Sequence, residues 1–254
     1  MEIRFDNQVV LITGASTGIG AALARAFGAV GARVVVHYHA SAEAAQAVLR
    51  DIQANGGQGY LVRADVTQPA QLKAVVDSVL EHWGAIDILI NNAGGLIRRS
   101  ALPDMPDDVY QYIMDLNLTS VYTMCKLVIP VMQRQGHGNI INVSSVAARN
   151  GGGPGAAVYA ASKGAVSTMT RGLARELAPF NIRVNALAPG IILTPFHERY
   201  STPEQLEGLV KTIPMQRAGR AEECVGAVFF LASDALSSYV TGQVIEVNGG
   251  MLMP

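Results

Sequence analysis

Val9-Val10-Leu11-Ile12-Thr13-Gly14-Ala15-Ser16-Thr17-Gly18-Ile19-Gly20 runs from a β-branched stretch straight into a turn with three glycines. The stretch reads as a strand buried on both faces, because its apolar residues are unbroken from Val9 to Ile12. Gly14, Gly18 and Gly20 form a G-x-x-x-G-x-G turn, and the alanine-rich segment Ala21 to Val30 behind it favours a helix. Glycines let the backbone turn sharply and bring N–H groups close to a pyrophosphate at the positive end of that helix. A tight strand-to-helix turn also needs glycine for structural reasons alone. The strand in front and the helix behind are what carry the phosphate-binding reading of Gly14, Ser16, Thr17, Gly18, Ile19 and Gly20.

The same alternation continues along the chain. Strands are expected at Arg33–Tyr38, 59–63, 86–90, Asn139–Val143, 182–187 and 243–247, and helices at 41–54, 68–83, 107–135, 159–178 and 221–231. Ser41 is expected to cap the second helix, and Pro130 to bend the long one. Residues 191–220 hold Pro195, Pro203 and Pro214 around one expected helix. No repeat or linker divides residues 1–254, so a single α/β domain with a doubly wound, mostly parallel sheet is expected. In such sheets ligands bind off the carboxyl ends of the strands. Gly14, Asn91, Ser145 and Pro189 all stand at such ends.

Composition excludes several function classes. Half of the 254 residues are hydrophobic and 15% are charged, which suits a sizeable core. The net charge of −1 gives no electrostatic case for nucleic acid or an anionic membrane. The polar lead before Val9 leaves no room for a signal peptide, and no apolar run approaches bilayer length. Two distant cysteines, Cys125 and Cys224, read as reduced thiols in a cytoplasmic protein. The five histidines show no metal-ligand spacing, so no metal is expected.

Tyr159-Ala160-Ala161-Ser162-Lys163 places a phenol and an ammonium one helical turn apart on one face. A neighbouring ammonium favours the phenolate, so Lys163 is expected to lower the pKa of Tyr159 and fit it for proton exchange with a carbonyl oxygen. Tyr122 and Lys126 repeat the spacing inside the long helix, where packing and surface roles are expected. At the end of the second strand, where dinucleotide sites usually carry an acid for the ribose hydroxyls, the chain has His37-Tyr38-His39 with Ser41 close by. No carboxylate there repels a 2′-phosphate, so NADP(H) is expected over NAD(H), with NAD(H) possible.

Taken together, Thr13 to Gly20, Asn91-Asn92-Ala93-Gly94, Asn117, Ser145, Tyr159, Lys163 and Pro189-Gly190 resemble the short-chain dehydrogenase/reductase family, in order and over essentially the whole chain. The resemblance implies a Rossmann-type fold and makes Tyr159–Lys163 the working pair. It implies Tyr159 as proton donor, Lys163 as its activator and ribose ligand, Ser145 as the group orienting the substrate carbonyl, and Asn117 as holder of a relay water. Asp65 and Val66 match the adenine contact, and Asn91 a sheet-stabilising residue. Asn92, Ala93, Gly94, Pro189, Gly190, Ile192 and Thr194 match further cofactor positions. The family also implies a homotetramer. The physical support for that is two helices, 107–135 and 159–178, too apolar all round to pack on one sheet face alone.

The activity expected is interconversion of a ketone and a secondary alcohol. Two subfamilies are similar, reductases of 3-oxoacyl thioesters and reductases of sugar-derived keto compounds. Arg98, Arg99, Phe196 and His197 are candidate substrate residues under the second. A catalytically silent cofactor sensor and an isomerase-type relative are the readings from other classes.

Overall fold

β1 (Val9–Ile12) lies inside a seven-stranded parallel sheet of order β3-β2-β1-β4-β5-β6-β9 in the computed structural model. The structure describes residues 3–200 and 202–253, with nothing described for the side chains of His197 and Glu198. The other strands are β2 (Arg33–Tyr38), β3 (Gln58–Arg63), β4 (Ile88–Asn91), β5 (Gly138–Val143), β6 (Ile182–Pro189) and β9 (Val244–Val247). Strand order grows outward from β1 in one direction and from β4 in the other. The β1–β4 seam is therefore the topological switch point, where such sheets open a ligand crevice. Gly14 and Asn91 end the two strands that flank it.

β1 is buried on both faces because its residues alternate between two cores. Val10 and Ile12 pack with α1 (Gly18–Ala29), α2 (Ala42–Ala54) and α10 (Val225–Ala232) on one side. Val9 and Leu11 pack with α3 (Pro69–Trp83), α5 (Ser120–Gln135) and α7 (Ala157–Leu177) on the other. Each fully buried aliphatic side chain of this kind contributes about 1.5–3 kcal/mol.

Four local expectations change. The long helix is interrupted at Asp115–Thr119 by a π-helical turn that separates α4 (Asp107–Met114) from α5, and Pro130 stays within α5. An extra residue in a helical turn is a device found at functional sites, and Asn117 sits in it. Residues 191–220 form two helices, α8 (Pro195–Tyr200) and α9 (Pro203–Lys211), with a small parallel pair of β7 (Ile192–Leu193) and β8 (Gly219–Arg220). Pro195 and Pro203 each open a helix, where the missing N–H costs nothing. Thr202 caps α9 in a reciprocal box with Gln205. Ser41 precedes α2 but makes no side-chain capping bond. Two short helices, α6 (Ala147–Asn150) and α11 (Asp234–Ser237), were not foreseen.

Candidate active site

The glycine turn can be made only by glycine. Gly14 (φ 64°) and Gly18 (φ 55°) occupy the left-handed region, which favours glycine. A Cβ on Gly20 would fall onto the Gly14 carbonyl. Thr17 leaves the first turn of α1 without a capping side chain, and no acidic residue stands there. The orphan N–H groups and the positive helix end suit an anion. Ser16, Thr17 and Ile19 all keep some exposure on this loop. Asn92 staples the end of β4 to the turn, its amide donating to the carbonyls of Thr13 (2.9 Å) and Gly14 (3.0 Å). The N–H groups of Asn92 and Ala93 both reach Thr13 Oγ1 at 3.0 Å. The Asn92 side chain is thus committed to shaping the loop rather than directed at a ligand.

His37 corrects the sequence expectation. It is 1% exposed and turned inward, its Nδ1 accepting the Gly14 N–H at 3.1 Å. Burial pushes its pKa down to about 4, so the ring is neutral at physiological pH and supports the glycine turn instead of facing a 2′-phosphate. Tyr38 packs against the core. The exposed residues at this end are His39 and Ser41, and Arg63 Nε donates to the His39 carbonyl at 3.2 Å. Asp65 folds its carboxylate onto the Thr67 N–H and hydroxyl at 2.9 and 2.8 Å, and Val66 is buried.

At the far side of the crevice, Ser145, Tyr159 and Lys163 converge. Tyr159 is half-buried, with the Ser145 side chain close enough to pull its pKa down. Ser144 points elsewhere, its hydroxyl donating to the Lys163 carbonyl at 3.0 Å and lying 2.7 Å from Ser167 Oγ. Lys163 is 3% exposed, and its Nζ donates to the Val143 carbonyl at 2.8 Å, 6.0 Å from the Tyr159 ring centre. Burial pushes Tyr159 up to about 12, against the pull of Ser145, and Lys163 down to about 8. Desolvation therefore outweighs the expected effect of the ammonium on the phenol. One of the three Nζ protons goes to the Val143 carbonyl, and the ammonium, though weakened by burial, persists below about pH 8.

Asn117 is fully buried. Its amide donates to the carbonyls of Gly95 (2.8 Å) and Ile113 (2.9 Å), and its Oδ1 accepts the Gly95 N–H at 3.0 Å. A Cβ on Gly94 would lie 2.7 Å from Asn117 Oδ1 and 3.0 Å from Lys163 Nζ, so only glycine lets the β4 loop rest on both. Asn91 bonds Asn142 across the β4–β5 pair at 2.9 Å. The second Tyr–Lys pair stays outside: Tyr122 is 51% exposed with Lys126 above its ring. Among the described residues no group of His, Cys, Asp or Glu has the makings of a metal site.

The segment after β6 roofs the crevice. Pro189 accepts the Val146 N–H at 2.9 Å, and Gly190 donates to Val247 at 2.9 Å. Ile192 is buried, and Thr194 packs against Gly18 across the cleft. Phe196 lies 6.0 Å from the Tyr159 ring and 5.0 Å from that of Tyr200. The side chain of His197 lies outside the described residues. Arg99 is a clamp, donating to the carbonyls of Tyr200 (3.2 Å) and Pro154 (3.1 Å), whereas Arg98 is exposed. Sequence reading missed Arg199 and Tyr200, because nothing in the spacing of α8 announces which of its residues face Arg98.

The geometry agrees with what the chain is similar to. A family model described as Enoyl-(Acyl carrier protein) reductase matches residues 14–252. A 3-oxoacyl-[acyl-carrier-protein] reductase of Synechocystis sp. is 42% identical over 97% of each chain. Its namesake in Thermotoga maritima is 41% identical over 99% of this chain and 100% of its own. Among solved structures, an NADH-dependent reductase A1-R′ responsible for alginate metabolism superposes with a TM-score of 0.90 at 37% identity, covering 98% of both chains. A 7α-hydroxysteroid dehydrogenase complexed with NADH and 7-oxo glycochenodeoxycholic acid gives 0.92 at 38% identity, over 98% of this chain and 95% of its own. With near-complete coverage from both directions and a nucleotide crevice at the switch point, the chain belongs to the short-chain dehydrogenase/reductase family and is an oxidoreductase of the carbonyl–alcohol couple.

Proposed function

We propose that Ser145, Tyr159 and Lys163, with Asn117 behind them, reduce a ketone to a secondary alcohol with NADPH preferred over NADH. The observation that carries this reading is the meeting of a half-buried phenol, its serine partner and a buried lysine beside the glycine turn. A nicotinamide cofactor would be held by the Gly14–Gly20 turn, His39, Ser41, Asp65, Val66, Ala93, Gly94, Pro189, Gly190, Ile192 and Thr194, and when bound it supplies hydride to the carbonyl carbon. Ser145 and Tyr159 donate hydrogen bonds to the carbonyl oxygen, where negative charge develops. Tyr159, neutral because burial holds its pKa at about 12, passes its proton to that oxygen. Lys163 in its ammonium form offsets the phenolate that results. Asn117 holds Gly95, and with it Gly94, against Lys163. NADPH consumption with a panel of ketones, followed at the nicotinamide absorbance band, tests the reading. Tight NADPH binding without turnover of any ketone would favour the sensor reading instead.

The preference for NADPH rests on the lack of any carboxylate from His37 to Ser41, although the A1-R′ reductase is NADH-dependent and the 7α-hydroxysteroid dehydrogenase holds NADH. Because His37 is buried, the deciding substitution is at exposed His39. His39→Asp should lower NADPH affinity by about tenfold or more through charge repulsion while sparing NADH. Fluorescence titration of both cofactors measures it, and an unchanged ratio would return the protein to relaxed specificity.

The relatives' names favour a 3-oxoacyl thioester as substrate. The glycine-rich loop 151–156, Arg98 and the Phe196 roof favour a small sugar-derived or keto-acid compound, and this is the reading we adopt. A homotetramer is part of the proposal, supported by large exposed side chains on and near the α4–α5 face and after α7: Tyr110, Tyr112, Tyr122 and Phe180. Light scattering at micromolar concentration is expected to give four chains, and a monomer would contradict this. Cys125 and Cys224, both buried and unpaired, suit a reducing cytoplasm. Among the described residues no helix is long and apolar enough to cross a membrane.

A further inference from the structure

Beside the Phe196–Tyr200 pair lies a cavity of about 370 Å³, lined by Ile97, Arg98, Arg99, Arg199, Tyr200, Thr202 and Gln205. Three guanidinium groups line it, and none of its described lining residues is acidic. Like charges gathered around one cavity repel unless something negative lies between them. Arg99 gives two of its five N–H donors to the carbonyls of Tyr200 and Pro154, fixing the cavity wall. Arg98 and Arg199 are exposed and form no ion pair or hydrogen bond through their side chains among the described residues.

The backbone that presents Arg98 is held in a costly shape. Ile97 is β-branched yet sits at φ 66°, in the left-handed region, where such a residue is a genuine outlier. The strain is stabilised by its surroundings: Arg98 N–H donates to Leu96 O at 2.8 Å, and Ser100 N–H to Gly155 O at 3.1 Å. Strain that the neighbouring structure enforces in this way concentrates at ligand clamps.

The cavity is also close to the chemistry. The Tyr159–Phe196 and Phe196–Tyr200 ring separations of 6.0 and 5.0 Å, laid end to end, put the Tyr200 wall no more than about 11 Å from the catalytic ring. The cavity thus lies within the reach of the far end of a small bound substrate. Building on the ketone-reductase reading, we propose that Arg98 and Arg199 form an anion subsite, which grips the carboxylate or phosphate at the far end of a short substrate whose ketone faces Tyr159. Guanidinium groups suit this task through paired, charge-assisted hydrogen bonds to either anion.

The test compares levulinate, methyl levulinate, dihydroxyacetone phosphate and acetoacetyl phosphopantetheine under saturating NADPH, in the native protein, Arg98→Gln, Arg199→Gln and the double variant. Each single change is expected to lower kcat/KM for levulinate about tenfold, and the double change about 100-fold, mostly through KM. The methyl ester should change far less, so the acid-to-ester ratio collapses. A parallel fall with dihydroxyacetone phosphate means the subsite takes phosphate as well as carboxylate. Equal falls for acid and ester overturn the proposal, as does a loss confined to acetoacetyl phosphopantetheine. Calorimetric titration of levulinate keeps the question separate from turnover. Binding that the double variant abolishes supports the subsite even if no ketone is reduced, and binding that it leaves intact overturns it.

Discussion

Tyr159→Phe should lower kcat for ketone reduction by about 10²–10⁴-fold, the usual worth of a positioned general acid, with cofactor affinity and the folded state close to native. The substitution removes one oxygen and leaves the ring against Phe196, so packing in the crevice is preserved. What disappears is the proton itself, together with the hydroxyl that Ser145 acts on. Burial holds the phenol neutral, so at any ordinary pH the native protein has this proton to give, and the variant has none. Tyr122→Phe supplies the internal control, because Tyr122 is half-exposed on the outer side of α5. It should retain near-native activity. The opposite pattern, an active Tyr159→Phe and an inactive Tyr122→Phe, would transfer the chemistry to the other pair.

Lys163→Ala should damage turnover, cofactor affinity and stability together. Its Nζ is the described partner of the Val143 carbonyl, and its chain fills the space beneath Gly94. Truncation leaves that carbonyl unsatisfied and opens a cavity, for a cost of about 2–5 kcal/mol. The melting temperature should fall accordingly. Lys163→Met keeps most of the volume and separates charge from packing. Burial brings the native pKa down to about 8, so the ammonium is present below that pH and lost above it. Since the ammonium is the form that offsets a developing phenolate, kcat for reduction should decline as pH rises through about 8. The decline should be missing in Lys163→Met. If it persists there, another group governs the alkaline limb.

Much of the fold was legible because its signals are local. The Val9–Ile12 run, the glycine turn and the successive strand ends need only unbroken apolar stretches and turn residues to be recognised, and β2 matches its expected range residue for residue. Site features that depend on distant partners were not legible. His37 reads as a strand-end residue, and only the nearness of the Gly14 N–H shows that it turns inward. Arg99 reads as a substrate ligand until Pro154 and Tyr200 are seen to occupy it. The π turn at Asn117 arises within a sequence that looks continuously helical, and its function becomes visible only once Gly95 packs against it. Proximity in sequence also misjudged the Tyr159–Lys163 pair. Spacing along a helix gives distance but not burial, and here burial decides the direction of both pKa shifts.

The most direct measurement is the fate of a labelled hydride. NADPH carrying deuterium on the nicotinamide carbon, incubated with the protein and levulinate, should yield an alcohol with deuterium at the new carbinol carbon, as read by mass spectrometry. Tyr159→Phe should give only a trace of that product over the same time. A protein that binds labelled NADPH tightly yet transfers no deuterium to levulinate or to any other ketone offered would contradict the assignment of a carbonyl-reducing centre to Ser145, Tyr159 and Lys163.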